Sequence, residues 1–203
     1  MALTFDDGPD PVYTPRVLRV LRKYHASATF FMIGSAARRY PFIVKEVVRQ
    51  GHEIGNHTWD HANLMRIRSR ARRMKQMWEC AKATAPYGAH LFRPPFGAKN
   101  DKVKIDAFLF GYKVVLWNVS AQDWLPQKAE NICQKILNGA TPGSIFLLHD
   151  SIVEKTEDKA FERETMIEGL DRALAVLKRR IRFVTVSELL HFGPPASNWP
   201  HVE

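Results

Sequence analysis

Apolar residues recur along this chain in two alternating patterns, short unbroken runs and three-and-four spacings. Ala28-Thr29-Phe30-Phe31-Met32-Ile33 is a continuous run of strand formers, as in a strand covered on both faces. Ala2-Leu3 before Thr4-Phe5, His52 to Asn56, His90-Leu91-Phe92, Tyr112 to Trp117, Ser144 to Leu148 and Arg182 to Val186 read as further strands. Between them lie helical spacings. Thr14-Pro15 reads as a helix start, a capping residue followed by proline, with Val17, Leu18, Leu21 and Tyr24 on one face. Ile43, Val44, Val47 and Val48 form a second helix, stopped by Gly51. A third, basic helix ends before Pro86, with Ile67, Ala71, Met74, Trp78 and Ala81 as its expected apolar face. Helices also follow around Lys102 to Phe110, Ala129 to Leu137, along Met166, Leu170, Leu174 and Leu177, and after a capping Ser187.

Strands alternate with helices about seven times without a repeat or linker, which predicts an α/β protein built on a parallel sheet. Periodicity by itself does not separate a barrel from a doubly wound sheet. We expect one domain over residues 1–192 and an irregular, Pro-rich tail over 193–203, with an exposed loop at Glu154 to Lys159.

Polar residues interrupt this pattern just past the ends of predicted strands. They are Asp6-Asp7, His57 with His61, Arg93, Asp123-Trp124 and His149-Asp150. Functional sites of parallel α/β folds lie at the carboxyl ends of strands, so these clusters are expected on one rim. Asp6 and Asp7 are adjacent like charges and need a compensating cation. His57 and His61 are spaced to meet one metal ion, and two imidazole nitrogens with one carboxylate oxygen suit Zn²⁺ or a similar divalent ion. The remaining carboxylate can act as a base towards a metal-activated water, oriented by a bidentate contact from Arg93. His149 is a candidate general acid that Asp123 could keep protonated. Residue chemistry leaves open which of Asp6 and Asp7 is base and which is ligand.

Composition changes this picture little. The 203 residues are 45% hydrophobic and 25% charged, ordinary values for a globular chain. No apolar run approaches the ~20 residues of a membrane span, and no signal peptide is visible. The abrupt start suggests that a leader or N-terminal segment lies outside this sequence, with an extracellular or envelope location, or else a cytoplasmic protein. Cys80 and Cys133 lack zinc spacing and are expected as buried thiols. The net charge of +9 points to an anionic partner such as nucleic acid, a cell-wall polymer or a membrane surface. Arg66, Arg68, Arg70, Arg72, Arg73 and Lys75 carry much of it, on what reads as a solvated helix face. Nucleic acid is disfavoured, because aromatics are not interleaved with this run.

TFDDGP, HTWDH, RPPFG, QDW and LLHD, in this order and supported by ATFFMIG and GHEIGNH, resemble the motifs of the polysaccharide deacetylases, carbohydrate esterase family 4. The resemblance runs from Leu3 to about Leu190. It implies a distorted, incomplete (β/α) barrel of about seven parallel strands and metal-dependent removal of acetyl groups, commonly from N-acetylglucosamine units of chitooligosaccharide or peptidoglycan. It makes Asp6 the base, Asp7, His57 and His61 the ligands of Zn²⁺ (Co²⁺, Ni²⁺ or Mn²⁺ as alternatives), Arg93 the holder of the base, and Asp123 the tuner of His149. The backbone N–H near Phe96 would serve the oxyanion, while Trp124 and Leu147 would wall the acetyl pocket. Members often carry an acid three residues before the aspartate of the DW pair, where Ser120 stands here; the surviving Asp123-Trp124 pair leads us to expect an intact dyad with His149. Two rivals stand beside amide cleavage by a monomeric enzyme: O-acetyl ester cleavage, as on acetylated xylan, and non-catalytic binding of an anionic polymer.

Overall fold

The computed structural model describes residues 1–153 and 162–193; the Glu154 to Lys159 loop and the tail beyond Gly193 lie outside them. Seven strands form one sheet: β1 (Ala2–Asp6), β2 (Ala28–Met32), β3 (Glu53–Asn56), β4 (Gly88–Phe92), β5 (Lys113–Val114), β6 (Val119–Ser120) and β7 (Ile145–His149). Every pairing is parallel. The strand order, β5-β4-β3-β2-β1-β7-β6, is the order of a (β/α) barrel opened at a seam where β5 and β6 do not pair with each other. A doubly wound sheet would reverse direction at a switch point; this one does not. The fold is therefore a distorted, incomplete barrel.

The helices are α1 (Tyr13–Lys23), α2 (Gly34–Arg39), α3 (Pro41–Arg49), α4 (Arg70–Thr84), α5 (Asp101–Leu109), α6 (Ala129–Asn138), α7 (Glu164–Leu177) and α8 (Val186–His191). Alternation along β1 sorts its side chains between two cores. Leu3 and Phe5 face Val17, Leu18 and Leu21 of α1 and Leu170 and Leu174 of α7, all buried, with Phe5 stacked on Phe30 at 5.0 Å. Ala2 belongs to the opposite cluster with Phe31, Leu91 and Ile145, which Val186 and Leu189 of α8 help to fill.

Several expectations need correction. The first helix is not capped by Thr14: Asp10 Oδ1 accepts from the amides of Val12 and Tyr13, and Thr14 lies inside the first turn. An additional helix, α2, follows β2. The expected strand Tyr112 to Trp117 shrinks to two residues because the Val115 and Leu116 carbonyls accept from the Arg93 guanidinium. Arg182 to Val186 is not a strand. Its Val184 N–H donates to Met1 O, its Phe183 O accepts from Ser27, and both side chains are buried, so it crosses the starting ends of β1 and β2. The last helix is capped by Thr185 in a capping box with Glu188, not by Ser187.

The basic helix shows the largest departure. Its buried residues are Arg73, Met77, Cys80 and Thr84, whereas Trp78 is half exposed. Arg73 is buried because Asp106 of α5 lies 2.6 Å from its Nε, with Arg70 on the other carboxylate oxygen. An ion pair, not a hydrophobic seam, therefore sets the rotation of this end of α4. Both cysteines are free; Cys80 is buried and donates to Met32 O, but Cys133 is only half-buried.

Candidate functional site

Parallel pairing brings the polar clusters to one rim. The register places Asp6 beside His149 across β1 and β7, while β3 and β4 end next to His57 and Arg93. Asp6, at the end of β1, points into the barrel mouth. Asp7 follows in left-handed conformation (φ 76°), which swings its carboxylate towards the same mouth instead of the opposite face. Thr58, His61, Phe96 and Gln122 also have positive φ. Such backbone costs of order 1–3 kcal/mol per residue and persists where the surrounding structure enforces it. Here it sits in the loops that carry the site.

Asp6 Oδ1 accepts from Arg93 Nη1 at 2.7 Å, and the same nitrogen reaches Thr4 Oγ1 at 2.6 Å. The expected bidentate contact is corrected to a single one, because Nε and Nη2 donate to the Val115 and Leu116 carbonyls. The buried guanidinium lies 4.0 Å from the Phe31 ring centroid. Burial lowers its pKa from the ordinary value, opposed by the charge and hydrogen bond of Asp6. Arg93 is thus saturated with partners and can hold Asp6 in one orientation.

Asp7 Oδ1 is 3.4 Å from His57 Nε2 and 3.3 Å from His61 Nε2, and these ligand atoms lie within 4.8 Å of one another. His57 Nδ1 is 2.7 Å from Arg93 O. A carbonyl only accepts, so Nδ1 carries the proton and Nε2 turns a lone pair towards Asp7. Asp7 Oδ1 is buried without a hydrogen-bond partner. Burial raises the pKa of Asp7, but the imidazoles of His57, His149 and His61 outweigh it and hold the carboxyl below its usual value. An orphaned carboxylate oxygen facing two imidazole nitrogens fits a divalent cation in donor number and chemistry.

Across the cavity, His149 Nδ1 is 2.9 Å from Asp123 Oδ1, and Asp123 Oδ2 accepts the His149 amide at 2.9 Å. Burial would discharge this imidazole. Asp123, followed by Asp7 and Asp6, overrides burial and pushes its pKa up to about 9. Arg163 Nη1 donates to the Asp123 carbonyl at 3.0 Å and lies 3.4 Å from Oδ2. At the departing position, Ser120 Oγ accepts from the Gln122 amide and shapes the turn that delivers Asp123. The contact between Asp123 and His149 is present with Ser120 at that position.

A cavity of about 370 Å³ is lined by Asp6, Asp7, His57, His61, Phe96, Trp117, Trp124, Leu147, His149 and Ile152. Arg93 and Asp123 lie behind it, so every predicted site residue is brought together. Phe96 is half exposed with its ring 4.6 Å from that of His61, and Trp124 meets His149 edge-on at 5.4 Å. Sequence reasoning missed Trp117, Ile152, Thr4 and Arg163. Trp117 ended a predicted strand and could have been found by that position; Arg163 carried no signal. Asp150, predicted in the same cluster as His149, does not line the cavity. It is buried, accepts from Thr14 Oγ1, and burial, reinforced by Asp7 and Asp10, pushes its pKa up to about 7.

An open parallel barrel with an arginine-held carboxylate, a carboxylate-held histidine and a candidate metal triad at one mouth defines a hydrolase-type centre. A sequence model described as polysaccharide deacetylase matches residues 1–115. A peptidoglycan-N-acetylglucosamine deacetylase of Bacillus cereus is 41% identical over 95% of this chain and 88% of its own length. One from Listeria monocytogenes is 36% identical over 93% of this chain, which spans only 38% of that protein. The solved peptidoglycan deacetylase PdaC of Bacillus subtilis superposes with a TM-score of 0.82 at 32% identity, covering 94% of this chain and 89% of that one. The chain belongs to the polysaccharide deacetylase family.

Proposed function

We propose that this protein removes N-acetyl groups from N-acetylglucosamine units of a wall glycan or chitooligosaccharide, with Asp6 as general base and His149 as general acid. The observation that carries the reading is that these two groups share one 370 Å³ cavity with Asp7, His57 and His61. Those three would hold one divalent ion, Zn²⁺ by the preference of two nitrogens and one carboxylate. When bound, it supplies Lewis acidity and lowers the pKa of a water from ~15.7 towards ~7.

The chain's own groups do the rest. Asp6, held by Arg93, accepts the proton of the attacking water. The backbone N–H near Phe96, a residue that lines the cavity, would donate to the oxygen that gains charge. His149, held charged by Asp123, gives its proton to the departing amine nitrogen. Trp124 and Leu147 exclude water around the acetyl methyl. An envelope polymer as substrate would place the protein outside the cytoplasm.

Acetate release from peptidoglycan strands and from chitooligosaccharides, measured with and without a chelator and in His57→Ala, tests this. Activity should fall by about a hundredfold or more in both controls, with Zn²⁺ affinity in calorimetry falling in the variant. Undiminished acetate release in both would sink the metal mechanism.

A further inference from the structure

A second cleft, of about 870 Å³, opens beside the active-site mouth between the His57–His61 segment and α4. Arg38, Trp59, Arg66, Arg68, Arg72 and Lys75 line it. Its only acids among the lining residues are Asp60 and Glu79, so cations exceed acids by three. The neighbouring cations Arg70 and Arg73 are both paired with Asp106. Among the described residues no ion pair occupies Arg66, Arg68, Arg72 or Lys75. Helix α4 thus divides its charge, turning Arg73 inward while Arg72 and Lys75 face an open cleft. Ser69 caps α4 at the cleft edge, so the positive end of a 15-residue helix adds to the field.

The cleft is tied to the catalytic loop. Gln76 Oε1 accepts from the Trp59 and Asp60 amides at 3.0 and 3.3 Å. Asp60 directly precedes His61, and consecutive Cα atoms are about 3.8 Å apart, so the cleft starts one residue from a candidate ligand. The half-buried Trp59 ring has Arg38 over it at 4.5 Å, making a rigid wall. A polymer with one sugar at the mouth would lay its neighbours here.

Resting on the deacetylase reading above, we propose that this cleft is an anion subsite for carboxylates borne by the same glycan strand, such as lactyl or peptide-stem carboxylates of a wall polymer. Arginine forks match carboxylates bidentately, and an uncharged chitooligosaccharide leaves them unused. The subsite therefore sets preference among acetylated glycans and leaves the chemical step untouched.

The test compares the full-length protein with its R68Q/R72Q/K75Q variant, whose altered side chains are exposed and hold no ion pair. Thermal melting confirms that the variant folds. Substrates are carboxylated glycan strands, the same strands with carboxylates amidated, and neutral chitooligosaccharide. The variant should raise KM about tenfold for the carboxylated strands only, with kcat unchanged. The difference should shrink between about 0.05 and 0.5 M salt as screening shortens. An unchanged KM for carboxylated strands, or an equal rise for all three, overturns the proposal. Direct binding to immobilised strands separates this from the activity itself: if wild type hydrolyses nothing, the deacetylase reading fails, while tenfold weaker binding by the variant still supports the cleft. Variant-sensitive binding of a phosphate polymer such as teichoic acid, without binding of carboxylated strands, would also overturn it.

Discussion

Replacing Asp123 by Asn isolates the charge that keeps His149 protonated. The two side chains meet at 2.9 Å through His149 Nδ1 and Asp123 Oδ1. An amide oxygen placed at Oδ2 can still accept the His149 amide, while the amide nitrogen faces Nδ1, where a proton would now clash. In wild type, His149 titrates near 9 against an ordinary value of ~6.5, a differential of about 3 kcal/mol at 1.36 kcal/mol per pH unit. Its side chain is 14% exposed, so solvent screens this little. Asp123 is the largest favourable contributor, with Asp7 and Asp6 behind it and burial opposing all three, so about 3 kcal/mol is the net of these effects and not the share of Asp123 alone. Because the folded value lies above the unfolded one, this stabilisation is complete below pH ~6.5 and disappears as pH rises through about 9. Removing Asp123 leaves burial to lower the pKa. The alkaline limb of kcat/KM, set by loss of the acid's proton, should move down by at least about 1 pH unit. The fall in stability between pH ~6.5 and 9 should flatten. The assays are a pH profile of acetate release, NMR titration of the His149 ring, and urea unfolding at several pH values. Wild-type His149 titrating near 6.5, or an alkaline limb that stays put in Asp123→Asn, would refute the reasoning.

Two further perturbations test the framework of the site. Asp106→Ala leaves buried Arg73 unpaired and should cost about 3–5 kcal/mol in urea unfolding, far more than a solvated salt bridge; a loss under about 1 kcal/mol would return Arg73 to the surface. Asp150→Asn keeps an acceptor for Thr14 Oγ1 but removes a carboxyl pushed up to about 7. A raised carboxyl pKa makes the charged form costly above the unfolded value of ~3.8, so the variant should gain stability relative to wild type at pH 8 and match it near pH 4. Equal stability at pH 8 would show that the site ionises freely.

Much of the fold was legible because parallel barrels repeat a simple pattern. Strands such as Ala28 to Met32 are runs of strand formers buried throughout, and helices such as α7 show their buried stripe at three-and-four spacing. The larger errors share one cause. Arg73, Val115, Leu116 and the segment at Phe183 take their places from partners distant in sequence. A buried ion pair, carbonyls claimed by a guanidinium, and a segment passing beneath the sheet all read from sequence as an exposed cation or an ordinary strand.

For the site, residue types alone called for a cation beside Asp6-Asp7 and paired the two histidines. Family resemblance assigned base and ligand. Only the tertiary structure decided how neighbouring acids serve one cavity: Asp7 reverses its backbone at φ 76°, so Asp6 reaches Arg93 while Asp7 reaches His57 and His61. It also brought in Arg163 behind Asp123 and separated the inward from the outward cations of α4. Local patterns record which residues want burial and which chemistry they carry. Which charge meets which is set by strand register and chain reversal, and these are properties of the whole sheet.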